Sequence, residues 1–265
     1  MIVDGKAIAE DLYKELQARR AKLARAPRLG IIVAGVDPVI ESFVGIKMRS
    51  AAQLAIEMPR VDLDGSASTK EVIAAIQKLS PEVDAIIVQL PLPKQVDTNA
   101  ALSAIPDYRD VDAISTATGE HDVEAPVALA VVEILRRSDI GPKGKRAVVV
   151  GGGRLVGAPT AALLKKLGAD VSMFTLEEGS IEDLKVADIV VCGAGNPGFI
   201  KPEHLKKGVA LIDAGASEQS GKVVGDCDPA CAELAAVFTP VPGGVGPVAV
   251  AMIFKNLFDL VEMQA

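Results

Sequence analysis

The chain has 265 residues, enough for one large α/β domain or two of medium size, and a net charge of −7 at pH 7. This acidic balance argues against nucleic acid or an anionic membrane as a partner, and no apolar run reaches the roughly 18 residues of a membrane span. Three cysteines and two histidines are too few for a disulfide scaffold or a metal cluster. The first residues, MIVDGKAIAE, lack a signal-peptide pattern, so we expect a cytoplasmic protein with buried, reduced cysteines and no metal.

Helix-spaced and strand-like apolar segments alternate along the chain. In the first half we predict a helix capped by Asp4, a buried strand over 29–34, a helix over about 41–55, a helix opened by the capping box of Ser68 and Glu71, and a strand over 84–89. In the second half we predict helices over 126–137, 155–167 and 248–261, strands over 146–150, 170–175, 188–192 and 209–213, and a hairpin arm at GKVVGD. This alternation predicts an α/β fold with mainly parallel sheets.

A glycine-rich turn follows the strand predicted over 146–150. Gly151, Gly152 and Gly153 allow a sharp turn and close approach of a ligand, because glycine has no Cβ. With Gly157 they form GxGxxxG, a variant of the GxGxxG motif. Between a strand and a helix this pattern predicts a pyrophosphate site at the helix N-terminus, although such a turn also serves tight strand–helix packing alone.

Acidic residues follow the next predicted strand. A carboxylate about 20 residues beyond the glycine motif binds the ribose 2′-hydroxyl of NAD, whereas NADP usually requires a nearby arginine. Glu177 and Glu178 lie slightly further along the chain. They indicate either NAD as the cofactor or a solvated acidic loop that caps the next helix.

Sequence blocks in a fixed order carry a resemblance over nearly the whole chain. They are DGKAIA near the start, the helix bearing Lys47, VQLPLP at 88–93, DVDA at 110–113, VVVGGGRLVGAP, VALIDAG, VVGD and TPVPGGVGP. With these blocks the chain resembles the methylenetetrahydrofolate dehydrogenase/cyclohydrolase family.

The resemblance implies two α/β domains with a cleft between them. A three-layer α/β catalytic domain would cover 1–119, with the last helix over 248–265 packed back on it, and a Rossmann dinucleotide-binding domain would cover 120–247. Family members are usually homodimers joined through the cofactor domain. They oxidise methylenetetrahydrofolate to the methenyl form by hydride transfer to NAD(P), and many also hydrolyse that product to formyltetrahydrofolate. The implied partners are a tetrahydrofolate one-carbon derivative and a second copy of the chain.

Individual site residues follow from the motif match. Lys47, Gln89 and Asp112 take the positions of the family's catalytic lysine, its partner glutamine and the pterin-binding aspartate. Taken alone, they also fit a solvated helix lysine, a strand-end polar residue and a turn former. Positions matching substrate-binding residues are Phe43, Leu90, Pro91, Pro242, Gly243 and Gly244. Positions matching cofactor-binding residues are Gly151, Gly152, Gly153, Arg154, Val156, Gly157, Thr175, Glu177, Gly193, Gly195 and Gly246.

Several departures mark a divergent member of the family. Phe43 stands where the family has a tyrosine, four residues before Lys47, and Gly152 stands where it has the arginine that holds the NADP 2′-phosphate. Further departures are VEAPVA at 123–128 for a PCTPxG block, Ala249 for a threonine, and a shortened segment between Asp112 and Pro126. We therefore predict NAD over NADP, and weak or absent cyclohydrolase activity because phenylalanine has no hydroxyl.

The leading hypothesis is a methylenetetrahydrofolate dehydrogenase linked to NAD. One alternative is an enzyme of the same fold that acts on another methylene-pterin, such as methylenetetrahydromethanopterin. A second alternative is a dinucleotide-binding regulatory protein without catalysis. The departures favour the second alternative, whereas the presence of Lys47, Gln89 and Asp112 opposes it.

Overall fold

The computed structural model describes residues 1–35, 37–115, 121–175, 177–219 and 221–264. The chain forms two compact units, which we name by their sheets. The three-stranded unit comprises Leu12–Pro126 and Ile253–Ala265, and the five-stranded unit comprises Met1–Asp11 and Val127–Met252. The division near residue 126 lies beyond the predicted boundary at 119–120, and the first 11 residues group with the five-stranded unit.

The three-stranded unit contains a parallel sheet with helices in its connections. Its elements are α1 (Gly5–Arg20, of which 12–20 belong here), β1 (Leu29–Ala34), α2 (Pro38–Gln53), β2 (Arg60–Leu63), α3 (Thr69–Leu79), β3 (Ala85–Val88) and α4 (Thr98–Leu102). The strand order is β2–β1–β3, with parallel pairing throughout. Every residue of β1 and β3 is buried, as expected of apolar strands covered on both faces.

Two helices of this unit begin at residues that satisfy their first N–H groups. The Asp37 side chain accepts two hydrogen bonds from the first turn of α2, and Pro38 occupies the first helical position. α2 therefore begins earlier than predicted, because an acceptor followed by proline is itself a helix-start signal. In α3 the predicted capping box is confirmed, with Ser68 and Glu71 each accepting from the other's backbone N–H.

The five-stranded unit contains a larger parallel sheet. Its elements are α5 (Pro126–Arg137), β4 (Arg146–Val150), α6 (Gly157–Lys166), β5 (Asp170–Phe174), β6 (Ile189–Cys192), β7 (Ala210–Asp213), β8 (Ser217–Gln219), β9 (Lys222–Val224), β10 (Val237–Phe238) and α7 (Val245–Met263, of which 245–252 belong here). The parallel strand order is β10–β7–β6–β4–β5, and β8 and β9 form a separate antiparallel hairpin. The glycine turn therefore follows a strand with neighbours on both sides.

The predicted α/β fold with parallel sheets is confirmed. α5 and β4 have the predicted bounds, and the predicted hairpin arm at GKVVGD contains β9, which pairs with β8. α6 begins at Gly157 rather than 155 because residues 154–156 form a turn, and α7 begins at Val245 rather than 248. The sequence patterns missed β2, which lacks a continuous apolar run, and also α4 and β10, which have only five and two residues.

Three further features bear on the sequence predictions. No helix among the described residues is long and apolar enough to cross a membrane, and these residues contain no cluster of three or more His, Cys, Asp or Glu that could hold a metal ion. All three cysteines are buried free thiols. The Leu90–Pro91 and Val241–Pro242 peptide bonds are cis.

Candidate active site and dinucleotide site

Lys47 and Gln89 meet within the three-stranded unit. Lys47 lies on α2, and Gln89 directly follows β3, at the carboxyl end of the sheet where parallel α/β folds bind ligands. Lys47 Nζ donates a hydrogen bond to Gln89 Oε1 over 2.7 Å. Gln89 Nε2 donates to the Leu90 carbonyl oxygen over 2.7 Å, so the side-chain oxygen remains turned toward the lysine. The fold thus pairs two residues that are 42 positions apart in the sequence.

Asp112 acts on this pair through its charge. Burial raises the pKa of Asp112 to about 7, the Lys47 ammonium opposes that rise, and the Asp110 carboxylate adds to it. Burial likewise lowers the pKa of Lys47, and the Asp112 carboxylate opposes that fall. Both pKa values thus move toward neutrality. Lys47 and Asp112 are therefore better suited to proton exchange near pH 7 than the same groups in water.

Asp110 holds the loop that carries Asp112. Its side chain is fully buried, and its Oδ2 accepts hydrogen bonds from the N–H groups of Ile114 and Ser115 over 2.6 and 2.5 Å. Its Oδ1 accepts from the Asp112 N–H over 3.2 Å, and His121 Nδ1 lies 3.6 Å from Oδ2. Burial raises the pKa of Asp110, and the backbone donors oppose that rise. Asp110 was not among the predicted site residues, although its place in the DVDA block was the available signal.

Three other residues predicted to bind substrate lie near this pair in the sequence. Phe43 precedes Lys47 by about one turn of α2, which puts both on one helix face. The Phe43 side chain is 40% exposed, so its ring is not part of the core. Leu90 and Pro91 continue the chain beyond β3, Leu90 half-buried and Pro91 exposed.

The remaining residues predicted to bind substrate belong to the five-stranded unit. Pro242, Gly243 and Gly244 connect β10 to α7. Gly246, which was predicted to bind the cofactor, lies exposed in the first turn of that helix. Gly243 has φ +106° and its carbonyl oxygen accepts a hydrogen bond from the Gly5 N–H over 2.9 Å. A Cβ on Gly5 would lie 1.8 Å from the Gly244 carbonyl oxygen, so this connection requires the glycine of the DGKAIA block.

Gly151, Gly157 and Gly193 bring three segments of the five-stranded unit into close contact. A Cβ on Gly157 would lie 1.8 Å from the Gly151 carbonyl oxygen, and one on Gly193 would lie 2.3 Å from Val156 Cγ1. Gly153 differs, because no described atom lies within 4 Å of the position that its Cβ would occupy. The N-terminus of α6 therefore closely approaches the end of β4 while the exposed turn stays open. This arrangement fits the pyrophosphate of a dinucleotide.

The segment after β5 faces Gly152. A Cβ on Gly152 would lie 3.5 Å from Thr175 Cγ2. Thr175 Oγ1 in turn accepts hydrogen bonds from the N–H groups of Glu177 and Glu178 over 3.1 and 3.2 Å, and both glutamates are exposed. A side chain at position 152 would thus project toward this acidic segment. Glycine there supplies no positive charge to receive a 2′-phosphate.

The other residues predicted to bind the cofactor lie in two loops. Arg154 and Val156 belong to the turn before α6, and Gly195 lies in the loop after β6 with φ +69°. The Gly195 N–H donates a hydrogen bond to the buried carboxylate of Asp226 over 3.1 Å. Asp226 was not among the predicted site residues, and its place in the VVGD block was the available signal.

Both halves of the chain match domains of one family. The tetrahydrofolate dehydrogenase/cyclohydrolase catalytic domain matches residues 3–112, and the NAD(P)-binding domain of the same name matches residues 125–265. The chain belongs to the tetrahydrofolate dehydrogenase/cyclohydrolase family. The resemblance drawn from the sequence blocks is thereby confirmed, whereas the roles of individual residues remain predictions.

Proteins of this family match the chain at moderate sequence identity. The bifunctional protein FolD of Halothermothrix orenii is 36% identical over 271 residues, which cover 96% of this chain and 95% of that protein. The crystal structure of FolD from Campylobacter jejuni superposes with a TM-score of 0.93 at 27% identity and covers 100% of this chain and 99% of that one. The Trypanosoma brucei methylenetetrahydrofolate dehydrogenase-cyclohydrolase, complexed with NADP and an inhibitor, has a TM-score of 0.92 at 32% identity and covers 100% and 98%. A moderate identity over the full length agrees with a divergent member.

Proposed function

We propose that this chain oxidises methylenetetrahydrofolate to methenyltetrahydrofolate by hydride transfer to NAD. The observation that carries the proposal is the 2.7 Å hydrogen bond from Lys47 to Gln89. Burial lowers the pKa of this lysine, and the Asp112 carboxylate opposes that fall. All three residues stand at positions that match family site residues. The names of the relatives, which include dehydrogenase and cyclohydrolase activities, support this reaction class.

Each residue of this group has a chemical task in the proposal. The Asp112 carboxylate accepts hydrogen bonds from the amino and ring N–H groups of the pterin and thereby orients it. Lys47, held by Gln89, donates a hydrogen bond or a proton to a polar atom of the bound carrier. A bound NAD would accept the hydride that leaves the methylene carbon, and the carrier would retain the methenyl cation. Most of the rate enhancement then comes from alignment of the two rings.

The preference for NAD rests on the surroundings of the glycine turn. Gly152 provides no cation, and its missing side chain would project toward the segment of Glu177 and Glu178. A carboxylate at the adenosine ribose accepts a hydrogen bond from a 2′-hydroxyl but repels a 2′-phosphate. The NADP bound to the Trypanosoma brucei relative makes the comparison of both cofactors a direct test.

The decisive assay measures the absorbance of methenyltetrahydrofolate formed by purified protein from methylenetetrahydrofolate. NAD and NADP are supplied in parallel, and kcat/KM is compared. We expect turnover with a higher kcat/KM for NAD. An equal or higher value with NADP would contradict the cofactor preference. Absence of turnover despite measurable binding of a folate analogue would contradict the dehydrogenase and favour a regulatory role.

We further propose that hydrolysis of the methenyl product is weak. Phe43 shares a helix face with Lys47 and is too exposed to be a core residue, but it has no hydroxyl to orient the lysine or a water. Phe43→Tyr adds that hydroxyl to a nearly isosteric ring. Decay of methenyltetrahydrofolate above its spontaneous rate should be slow in the wild type and faster in the variant. Rapid decay in the wild type would show that Lys47 and Gln89 suffice.

We also propose that the protein works in the cytoplasm, where NAD and reduced folates are available. The support is that its three cysteines are free thiols, as in proteins of reducing compartments. Fractionation of cells that express the native protein tests this location. Activity confined to a membrane or extracellular fraction would contradict it.

A further inference from the structure

The carboxylate of Asp226 accepts hydrogen bonds from three consecutive backbone N–H groups. Its Oδ2 accepts hydrogen bonds from Ala194 and Gly195 over 2.7 and 3.1 Å, and its Oδ1 accepts from Asn196 over 2.8 Å. Asp226 is fully buried, whereas the three donor residues are exposed. Successive N–H groups that converge in this way form a concavity suited to an anion. Here a side chain from 30 residues further along the chain supplies that anion.

The backbone at Asp226 is itself fixed by hydrogen bonds to Asp213. Its N–H donates to Asp213 Oδ1 over 3.1 Å, and the N–H of Cys227 donates to Asp213 Oδ2 over 2.8 Å. A Cβ on Gly215 would lie 2.5 Å from the carboxyl carbon of Asp226, so the backbone packs directly against the carboxylate. The carboxylate therefore has little freedom to rotate away from its three donors.

The loop over residues 193–196 packs against the glycine turn. A Cβ on Gly151 would lie 2.7 Å from the Gly193 carbonyl oxygen and 2.8 Å from Ala194 Cα. A Cβ on Gly193 would in turn collide with Val156 of the turn. Since β4 and β6 are adjacent, both loops emerge at the same carboxyl edge of the sheet. Any displacement of 193–196 thus alters the space beside the turn.

We propose that Asp226 is a positioning residue for the dinucleotide. It occupies the N–H groups of 194–196 and fixes that loop beside the glycine turn, so that the phosphates are left to the turn and the N-terminus of α6. The inference rests on the proposed dinucleotide-binding function. Asp226 itself does not contact the cofactor in this proposal. Its effect is on the shape of the site and is distinct from the roles of Lys47, Gln89 and Asp112.

Amide hydrogen exchange of the wild-type protein, without cofactor, tests the first half of the proposal. Although Ala194, Gly195 and Asn196 are exposed, their N–H groups should exchange slowly because each is bound to a buried carboxylate. Exchange of all three at the rates of unprotected amides would overturn the proposal, and this measurement requires no variant to fold.

Equilibrium binding of NAD to Asp226→Asn tests the second half. Asparagine keeps the size but replaces one acceptor oxygen by an NH₂ donor that faces backbone N–H groups. We expect the Kd for NAD to rise on the order of tenfold to a hundredfold, as for loss of a charge-assisted hydrogen bond, while the Kd for a folate analogue is unchanged. The matched control is Asp228→Asn, since Asp228 caps a short 3-10 helix through the Ala230 N–H.

The outcomes separate this proposal from the proposed function. A wild type that binds neither NAD nor NADP would refute dinucleotide binding and the inference with it. A wild type that binds NAD, together with an Asp226→Asn variant that binds it equally well, would refute the inference alone. Faster exchange of the amides of 194–196 in the variant, accompanied by weaker NAD binding, supports it.

Discussion

At the scale of single residues, Lys47 and Asp112 offset part of each other's burial cost. Burial disfavours the charged form of both groups, and each charge stabilises the other. Gln89 contributes a neutral acceptor, which holds the ammonium without neutralising it. Removing either charge should therefore change the behaviour of the other group as well as the reaction.

Lys47→Met tests whether the lysine is chemical or only structural. Methionine keeps an unbranched side chain and good helix propensity but removes the ammonium. We expect kcat to fall on the order of 10²–10⁴-fold, the usual effect of losing a general acid–base group, with little change in Tm. Arg49→Met, an exposed cation on the same helix, is the matched control and should retain activity. Near-normal turnover of Lys47→Met would refute the assignment.

Asp112 should make stability depend on pH. Its folded pKa is about 7, and an unfolded aspartate has a pKa of about 3.9, so the folded state binds the proton more tightly. Between about pH 4 and 7 the unfolded state holds fewer protons, and this group's contribution to stability falls as pH rises. Asp112→Asn lacks this contribution. The free energy of unfolding of the variant, relative to the wild type, should thus increase up to about pH 7 and then level off.

Denaturant titrations at several pH values across that window measure this difference. A difference that stays constant would show that Asp112 titrates normally in the folded protein. The same titrations on Lys47→Met provide a second check, because loss of the ammonium should raise the pKa of Asp112 further.

At the scale of elements, the contact between β4 and α6 depends on glycine at two points. The Gly157 Cα faces the Gly151 carbonyl oxygen with no room for a methyl group, and Gly151 itself has φ +94°. Gly153, between them in the sequence, meets no such obstacle among the described residues. Packing therefore requires glycine at 151 and 157, whereas a side chain at 153 would meet no described atom within 4 Å of its Cβ.

Gly157→Ala and Gly153→Ala form a matched pair for this contact. The added methyl group of Gly157→Ala would lie 1.8 Å from an oxygen, so β4 and α6 must separate. We expect a loss of about 1–3 kcal/mol in the free energy of unfolding, the usual cost of overpacking, together with weaker NAD binding. Gly153→Ala should change stability by less than about 0.5 kcal/mol. Equal Tm values for the two variants would contradict the close approach.

At the scale of the whole molecule, the five-stranded sheet ends at β5. This edge strand has exposed residues at Asp170 and Ser172. Unpaired N–H and C=O groups along an edge strand favour pairing with another chain, unless charges or coverage prevent it. The family resemblance implies that members dimerise through the domain that contains this sheet.

We therefore predict a homodimer in solution. Sedimentation at several protein concentrations should give a mass of twice the 27.5 kDa of the chain. The mass should not change when the net charge of −7 is screened with salt, if backbone pairing and apolar contact dominate the interface. A single species of 27.5 kDa at all concentrations would contradict the prediction.

Features that depend on local physics could be predicted from the sequence. The apolar run of β4, the capping box of α3 and the glycine motif are short-range patterns, and they were predicted at or near their observed positions. The positions of Lys47, Gln89 and Asp112 followed from motif blocks. β2 was missed because its polar edge residues become a strand only through pairing with β1.

The packing of distant segments determines which of these residues meet and how strongly their pKa values are shifted. The Lys47–Gln89 hydrogen bond joins two elements, and the pKa of Asp112 depends on burial produced by segments remote in sequence. The hydrogen bonds between Asp226 and the N–H groups of 194–196 likewise join segments that are at least 30 residues apart in the sequence. Desolvation and long-range hydrogen bonding arise only when distant parts of the chain pack together, and no local pattern specifies them.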